Sequence, residues 1–181
     1  KVFDSSVYRL RRLQNNVGSR VYTSVIQPVI LNKAVLSCDV VIGAYRASNG
    51  RSPCLISEET VSKMKPNSVL IDVSIDQGGC FETSEVTSHD KPIFRKYDVI
   101  HYCVPNIASR VARTETYSLT NIFTPLLQQI GDCGGMNKMI WADRGIRSAI
   151  YLYQGMLTNT DMADKFNLPS KDLDLIMVAS Q

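Results

Sequence analysis

Three short runs of β-branched and other apolar residues, at 38–44, 68–75 and 98–105, constrain the fold of this 181-residue chain more than any other feature. Cys38-Asp-Val-Val-Ile-Gly-Ala44 is continuously apolar from Val40 rather than alternating, which belongs to a strand covered on both faces. Ser68-Val-Leu-Ile-Asp-Val-Ser-Ile75 and Asp98-Val-Ile-His-Tyr-Cys-Val-Pro105 repeat the pattern. Between the first two, Ser57-Glu-Glu-Thr-Val-Ser-Lys-Met64 has a capping serine, two acids in its first turn and Pro66 just beyond, the marks of a short helix. Alternating strands and helices give parallel strands joined by right-handed crossovers. The expected fold class is α/β with a doubly wound parallel sheet, whose ligands sit at the carboxyl ends of the strands.

The flanks extend this scheme. Lys1-Val-Phe-Asp4 reads as the end of a short buried strand, with a helix after it capped by Ser5 or Ser6 and carrying Val7, Leu10 and Leu13 on one face. Residues 20–23 read as another short strand, Pro28 opens a second helix, and 46–53 form a polar loop. Beyond Asn106 the spacing of Leu119, Ile122, Phe123, Leu126, Leu127 and Ile130 is helical, with Pro125 expected to kink that helix or begin a new one. A further helical segment is expected through Ile146, Ile150, Tyr151 and Leu152, a break at 155–160, and a short helix at 161–166.

Composition narrows the class. With 44% hydrophobic and 20% charged residues, the chain can bury a core without a disulfide or structural metal. Its five cysteines never form a CxxC pair, so they read as reduced thiols of a cytoplasmic protein with no metal site. No secretory pattern opens the chain and no run of about 18 apolar residues occurs, so no membrane contact is expected. Net charge is +3, and Arg9, Arg11 and Arg12 lack interleaved aromatics; a solvated helix face is expected there, not nucleic-acid binding.

Candidate chemistry gathers at the strand ends. Asp4 stands where a carboxylate can accept both adenosine ribose hydroxyls of a dinucleotide and repel an added 2′-phosphate, which points to NAD; a helix cap is the plain alternative. Gly43 and Ala44 close one strand, allowing close approach of a flat ligand. Ile75 and Asp76, before Gly78 and Gly79, close the next, with Asp76 presenting a carboxylate where nicotinamide and substrate would meet; an Asx-turn is the alternative. The Asn106 amide could bind a carboxamide or carboxylate at the same rim. His101 lies inside a strand and fits a hydrogen-bonded core histidine; His89 lies in a polar loop. No glycine-rich GxGxxG turn is present, which is expected to lie upstream of Lys1 on a strand outside this sequence.

At these residues the chain resembles the alanine dehydrogenase and pyridine-nucleotide transhydrogenase family. The motifs are Val2-Phe-Asp4, Asp39-Val-Val-Ile-Gly-Ala44, Met64-Lys-Pro-Asn-Ser-Val-Leu-Ile-Asp-Val-Ser-Ile-Asp-Gln-Gly-Gly79, Cys80-Phe-Glu-Thr-Ser84, Thr87-Ser-His-Asp90 and His101-Tyr-Cys-Val-Pro-Asn106. The Asp76-Gln-Gly-Gly79 form followed by Cys80 resembles the dehydrogenase branch. The resemblance implies a Rossmann-type NAD-binding domain at 1–135, lacking its first strand, and a helical segment at 136–181 that packs on an absent substrate domain. It implies Asp4 at the adenosine ribose, Arg9 near the adenosine end, and Asp76 and Asn106 near the nicotinamide, with Asp76 catalytic. The implied reaction is NAD-dependent oxidative deamination of L-alanine to pyruvate and ammonia by a homo-oligomer, with this part inactive alone. A transhydrogenase subunit or a noncatalytic assembly module are the alternatives. One departure is Ile107-Ala-Ser-Arg-Val-Ala-Arg113, where relatives carry a proline-containing turn.

Overall fold

In the computed structural model, which describes residues 1–18, 20–46 and 52–179, strand β1 (Val2–Asp4) lies parallel to β2 (Thr23–Val25), with Val2 opposite Thr23. Between them runs α1 (Val7–Asn16), started by the Ser6 hydroxyl, which accepts the Arg9 N–H. Helix α2 (Pro28–Ser37) begins on Pro28, whose missing N–H is no loss at a first helical position. Of the polar loop expected at 46–53, residues 47–51 lie outside the described set.

The three apolar runs become β3 (Val40–Gly43), β4 (Val69–Asp72) and β6 (Val99–Tyr102), with β5 (Ile93–Lys96) before the last. They form one sheet in the order β3-β4-β6-β5. Val40 stands opposite Val69, and Val69 opposite Ile100, both in parallel register. Helix α3 (Glu58–Ser62) lies between β3 and β4 in the chain, with Ser57 as its cap.

Strand β5 was not expected. It pairs antiparallel with β6 through Tyr97 and Asp98, both in the left-handed region at φ 53° and 56°. A two-residue hairpin needs that geometry, and its usual sequence sign is Asn-Gly or Asp-Gly, so a Tyr-Asp turn gives no warning. The Tyr97 hydroxyl is held by donating to Glu58 Oε1 at 2.6 Å.

The core brings together Val35 of α2, Val61 of α3, Leu70 of β4 and Val99 of β6, with Ile56, Met64, Cys80 and Phe81 from the connections. Coverage on both faces is wrong for β3. Val41 packs on the core, but Val40 and Ile42 are 52% and 62% exposed, because alternate residues of a strand point to opposite faces.

Contacts divide the chain into two units, Lys1–Ile107 and Ala108–Gln181; the sequence-based division at 135 falls inside the second. The second unit holds α4 (Ala112–Asp132), α5 (Met136–Ala142), α6 (Arg144–Ser148), a hairpin of β7 (Leu152–Tyr153) and β8 (Met156–Leu157), then α7 (Thr160–Phe166) and α8 (Leu173–Ala179). Helix α4 continues through Pro125 rather than ending there. The helix expected through Leu152 stops at Ser148, since Gln154 and Gly155, at φ 50° and 78°, fold the following apolar residues into a hairpin. Arg147 closes α5 by donating to the carbonyls of Ile140 and Trp141, and it also meets Asp174 at 3.2 Å.

Candidate functional site

Parallel register sends β3, β4 and β6 to the same sheet edge with their carboxyl ends, where Gly43, the loop after Asp72 and the residues up to Asn106 emerge. Ile75, Asp76 and Gln77 form one turn of 3₁₀-helix beyond β4, with Ile75 buried and Asp76 exposed. Asn106 is exposed and takes a left-handed backbone, φ 53°, which asparagine tolerates better than most residues.

Asp4 closes β1. Its Oδ1 accepts the Ser6 N–H at 2.7 Å, and Oδ2 lies 3.9 Å from the Arg9 guanidinium. That bond closes an Asx-turn ahead of α1, whose cap is Ser6 rather than Asp4, and a carboxylate with room for about four hydrogen bonds keeps acceptor capacity. Asp4, Gly43 and Ala44 all line a cleft of about 480 Å³ between β1 and β3, with Val2, Phe3 and Phe81 among its apolar walls. Gly43 has a packing reason of its own: a Cβ there would stand 2.7 Å from the Phe81 ring and 2.9 Å from Cys80 Cβ.

A buried polar network lies under the loop after β4. The Asp72 carboxylate, 1% exposed, accepts the Ser74 N–H at 3.0 Å on Oδ1. Its Oδ2 accepts the Cys80 N–H at 2.8 Å and the Ser84 hydroxyl at 2.6 Å. An Asx-turn, the alternative given above for Asp76, is thus made by Asp72. On β6, His101 donates from Nδ1 to the Val99 carbonyl at 3.1 Å, which leaves Nε2 to accept the Thr83 hydroxyl at 2.8 Å. The ring is fully buried and stacked on Phe94, and burial pushes its pKa below the ordinary value, so a core histidine is what the structure contains. Burial also raises the thiol pKa values of Cys80 and Cys103, which suits packing rather than nucleophilic chemistry.

The structure thus brings Asp4, Gly43 and Ala44 to one cleft, and sets Ile75 and Asp76 on the 3₁₀ turn that follows β4, with Asn106 four residues beyond the end of β6, the hydrogen-bonded neighbour of β4. Arg9 is exposed on α1 and lies 3.9 Å from Asp4. Sequence reasoning missed Asp72, whose three donors come from a loop that only the fold brings to it. Among the described residues no His, Cys, Asp and Glu cluster suits a metal ion, and no helix is long and apolar enough to cross a membrane.

These features define an α/β domain that offers acidic and amide groups at the carboxyl edge of a parallel sheet. Comparison with known proteins makes the class specific: the chain belongs to the family described as alanine dehydrogenase/PNT, C-terminal domain, which matches residues 1–160. It is 37% identical over 171 residues to an alanine dehydrogenase of Mycolicibacterium smegmatis, covering 94% of this chain and 46% of that protein. To the alanine dehydrogenase of Halomonas elongata it is 39% identical, covering 92% of this chain and 45% of the other. The chain therefore spans about half the length of these relatives. A solved L-alanine dehydrogenase matches 91% of this chain and 45% of its own with a TM-score of 0.80 at 32% identity. A transhydrogenase from Sinorhizobium meliloti, 22% identical with a TM-score of 0.51 over 61% of this chain and 30% of its own, shares the fold alone.

Proposed function

We propose that this chain is the NAD-binding part of an alanine dehydrogenase, and that the complete protein oxidises L-alanine to pyruvate and ammonia. The carrying observation is the parallel register of β3, β4 and β6, which brings Gly43, the loop carrying Asp76 and the segment leading to Asn106 out at one edge of the sheet. Family membership and the names of the relatives supply the substrate. The residues fit the cofactor: Asp4 has acceptor capacity left for ribose hydroxyls, and its charge disfavours a 2′-phosphate. Asn106 would orient the carboxamide and Asp76 would face the reacting carbon, while Ile75 and Ala44 exclude water from the ring. When bound, the dinucleotide supplies the hydride acceptor. A carboxylate at Asp76 can hold a proton or steer the substrate ammonium; as the one acid among the residues placed at the nicotinamide end, it is assigned the catalytic role.

The division of labour follows. Residues 1–135 would hold the dinucleotide, 136–181 would pack on a substrate-binding part, and the whole would be a cytoplasmic homo-oligomer. The cleft between β1 and β3 supports a further parallel strand bearing the glycine-rich turn. In a parallel strand the N–H and C=O of one residue point to the same side. Asp39 and Gly43 bond toward β4, and Asp4 and Val2 toward β2, so Val40, Ile42 and Phe3 face the cleft with theirs.

Three measurements test this. Calorimetry of the chain with NAD and NADP should show a preference for NAD that Asp4→Asn reduces. In the full-length protein, L-alanine should reduce NAD, and the amides of Phe3, Val40 and Ile42 should exchange far more slowly than in the chain alone. Activity only with another amino acid would remove alanine from the assignment.

A further inference from the structure

We propose that Asp72 is a positioning residue for the site, its buried carboxylate setting the conformation of the 73–84 loop and through it the place of Asp76. This rests on the functional assignment above.

One side chain reaches the loop at three points. Ser74 lies at its start, Cys80 past its middle and Ser84 at its end, and all three donate to Asp72. The 3₁₀ turn carrying Asp76 lies between the first two. The far end is tied a second time, because Thr83 donates to His101 on β6. Both neighbouring strands therefore hold the loop, and Asp76 is exposed on a support that is itself buried.

The carboxylate is not interchangeable with a neutral group. Donors approach both oxygens, and no cation pairs with Asp72 among the described residues. An asparagine has one acceptor and one donor end; either way round, it sets an NH₂ against a donor that has no other partner. Gly79 shows how closely the loop is drawn down. Its φ is +80°, and a Cβ there would stand 2.7 Å from Asp72 Oδ2.

The test compares Asp72→Asn, Ser84→Ala and Gly79→Ala in the full-length protein, with amide exchange across 73–84 and steady-state kinetics per titrated active site. Asp72→Asn should speed exchange at Gly78, Gly79 and Cys80 and lower kcat by about a hundredfold, the scale of a 1 Å misplacement, with the KM for NAD nearly unchanged. Ser84→Ala, which removes one donor and leaves no group unpaired beyond it, should do the same to a smaller degree. A substitution that merely destabilised the fold would lower the number of competent sites and leave kcat per site intact, and that result overturns the proposal. Should Asp72→Asn fail to fold, Ser84→Ala and Gly79→Ala carry the same comparison. If the unsubstituted protein fails to oxidise any amino acid, the functional assignment falls by itself; loop exchange then decides the hold of Asp72, and unaltered exchange overturns it.

Discussion

Strands β3 and β4 each open with three aliphatic residues and lie side by side, yet they live in different surroundings. Leu70 on β4 is fully buried and its neighbours Val69 and Ile71 are half-buried, whereas the register partners of those two on β3, Val40 and Ile42, are more than half exposed. The polar groups differ too: β4 ends in an aspartate whose oxygens are satisfied three times over, and β3 ends in a glycine at the wall of an open cleft. A run of β-branched residues thus states the cover a strand is suited to, and the neighbours decide how much of that cover it receives.

The largest effect that would sharpen this contrast is expected at Leu70. Leu70→Ala should cost about 2–5 kcal/mol in urea unfolding, the range for truncating a buried leucine. An equal loss from Ile42→Ala would break the comparison. Next comes Gly43→Ala, whose added methyl meets the Phe81 ring, at a cost of about 1–3 kcal/mol for overpacking. The Phe81→Leu background should recover part of it, and a double-mutant cycle measures the coupling.

Thr83→Val should cost about 1–2 kcal/mol by leaving His101 Nε2 buried without a donor. A related and smaller effect concerns pH. Burial lowers the His101 pKa from its ordinary 6.5, so below that value the unfolded chain binds the proton more readily. Stability should be fully present above pH 6.5 and decline as pH falls through the depressed native pKa, a decline that His101→Gln should reduce in thermal melts. The smallest effect is expected from Lys65→Ala, which breaks an exposed 2.8 Å ion pair with Asp39 and should change stability by less than about 0.5 kcal/mol.

Much of this was legible beforehand where one local rule governs. Ser6 and Ser57 cap their helices, Pro28 begins one, and the three apolar runs pair in parallel, since capping, proline geometry and hydrophobic runs act over a few residues. The illegible parts depend on partners distant in sequence. Strand β5 is specified by β6 and by a turn without the usual residues, and Gly43 serves the ring of Phe81, 38 positions later. For the proposed site, Asp4, Asp76 and Asn106 were chosen from strand ends alone. Asp72 could not be, because its importance lies in three donors that only the folded loop brings to it.

The unpaired side of β3 carries a practical consequence. Strands with free backbone donors and acceptors recruit one another, and Val40 and Ile42 add apolar surface without a charge or proline to discourage it. Solutions of the isolated chain should grow turbid as they are concentrated, and a lysine introduced at Ile42 should keep them clear.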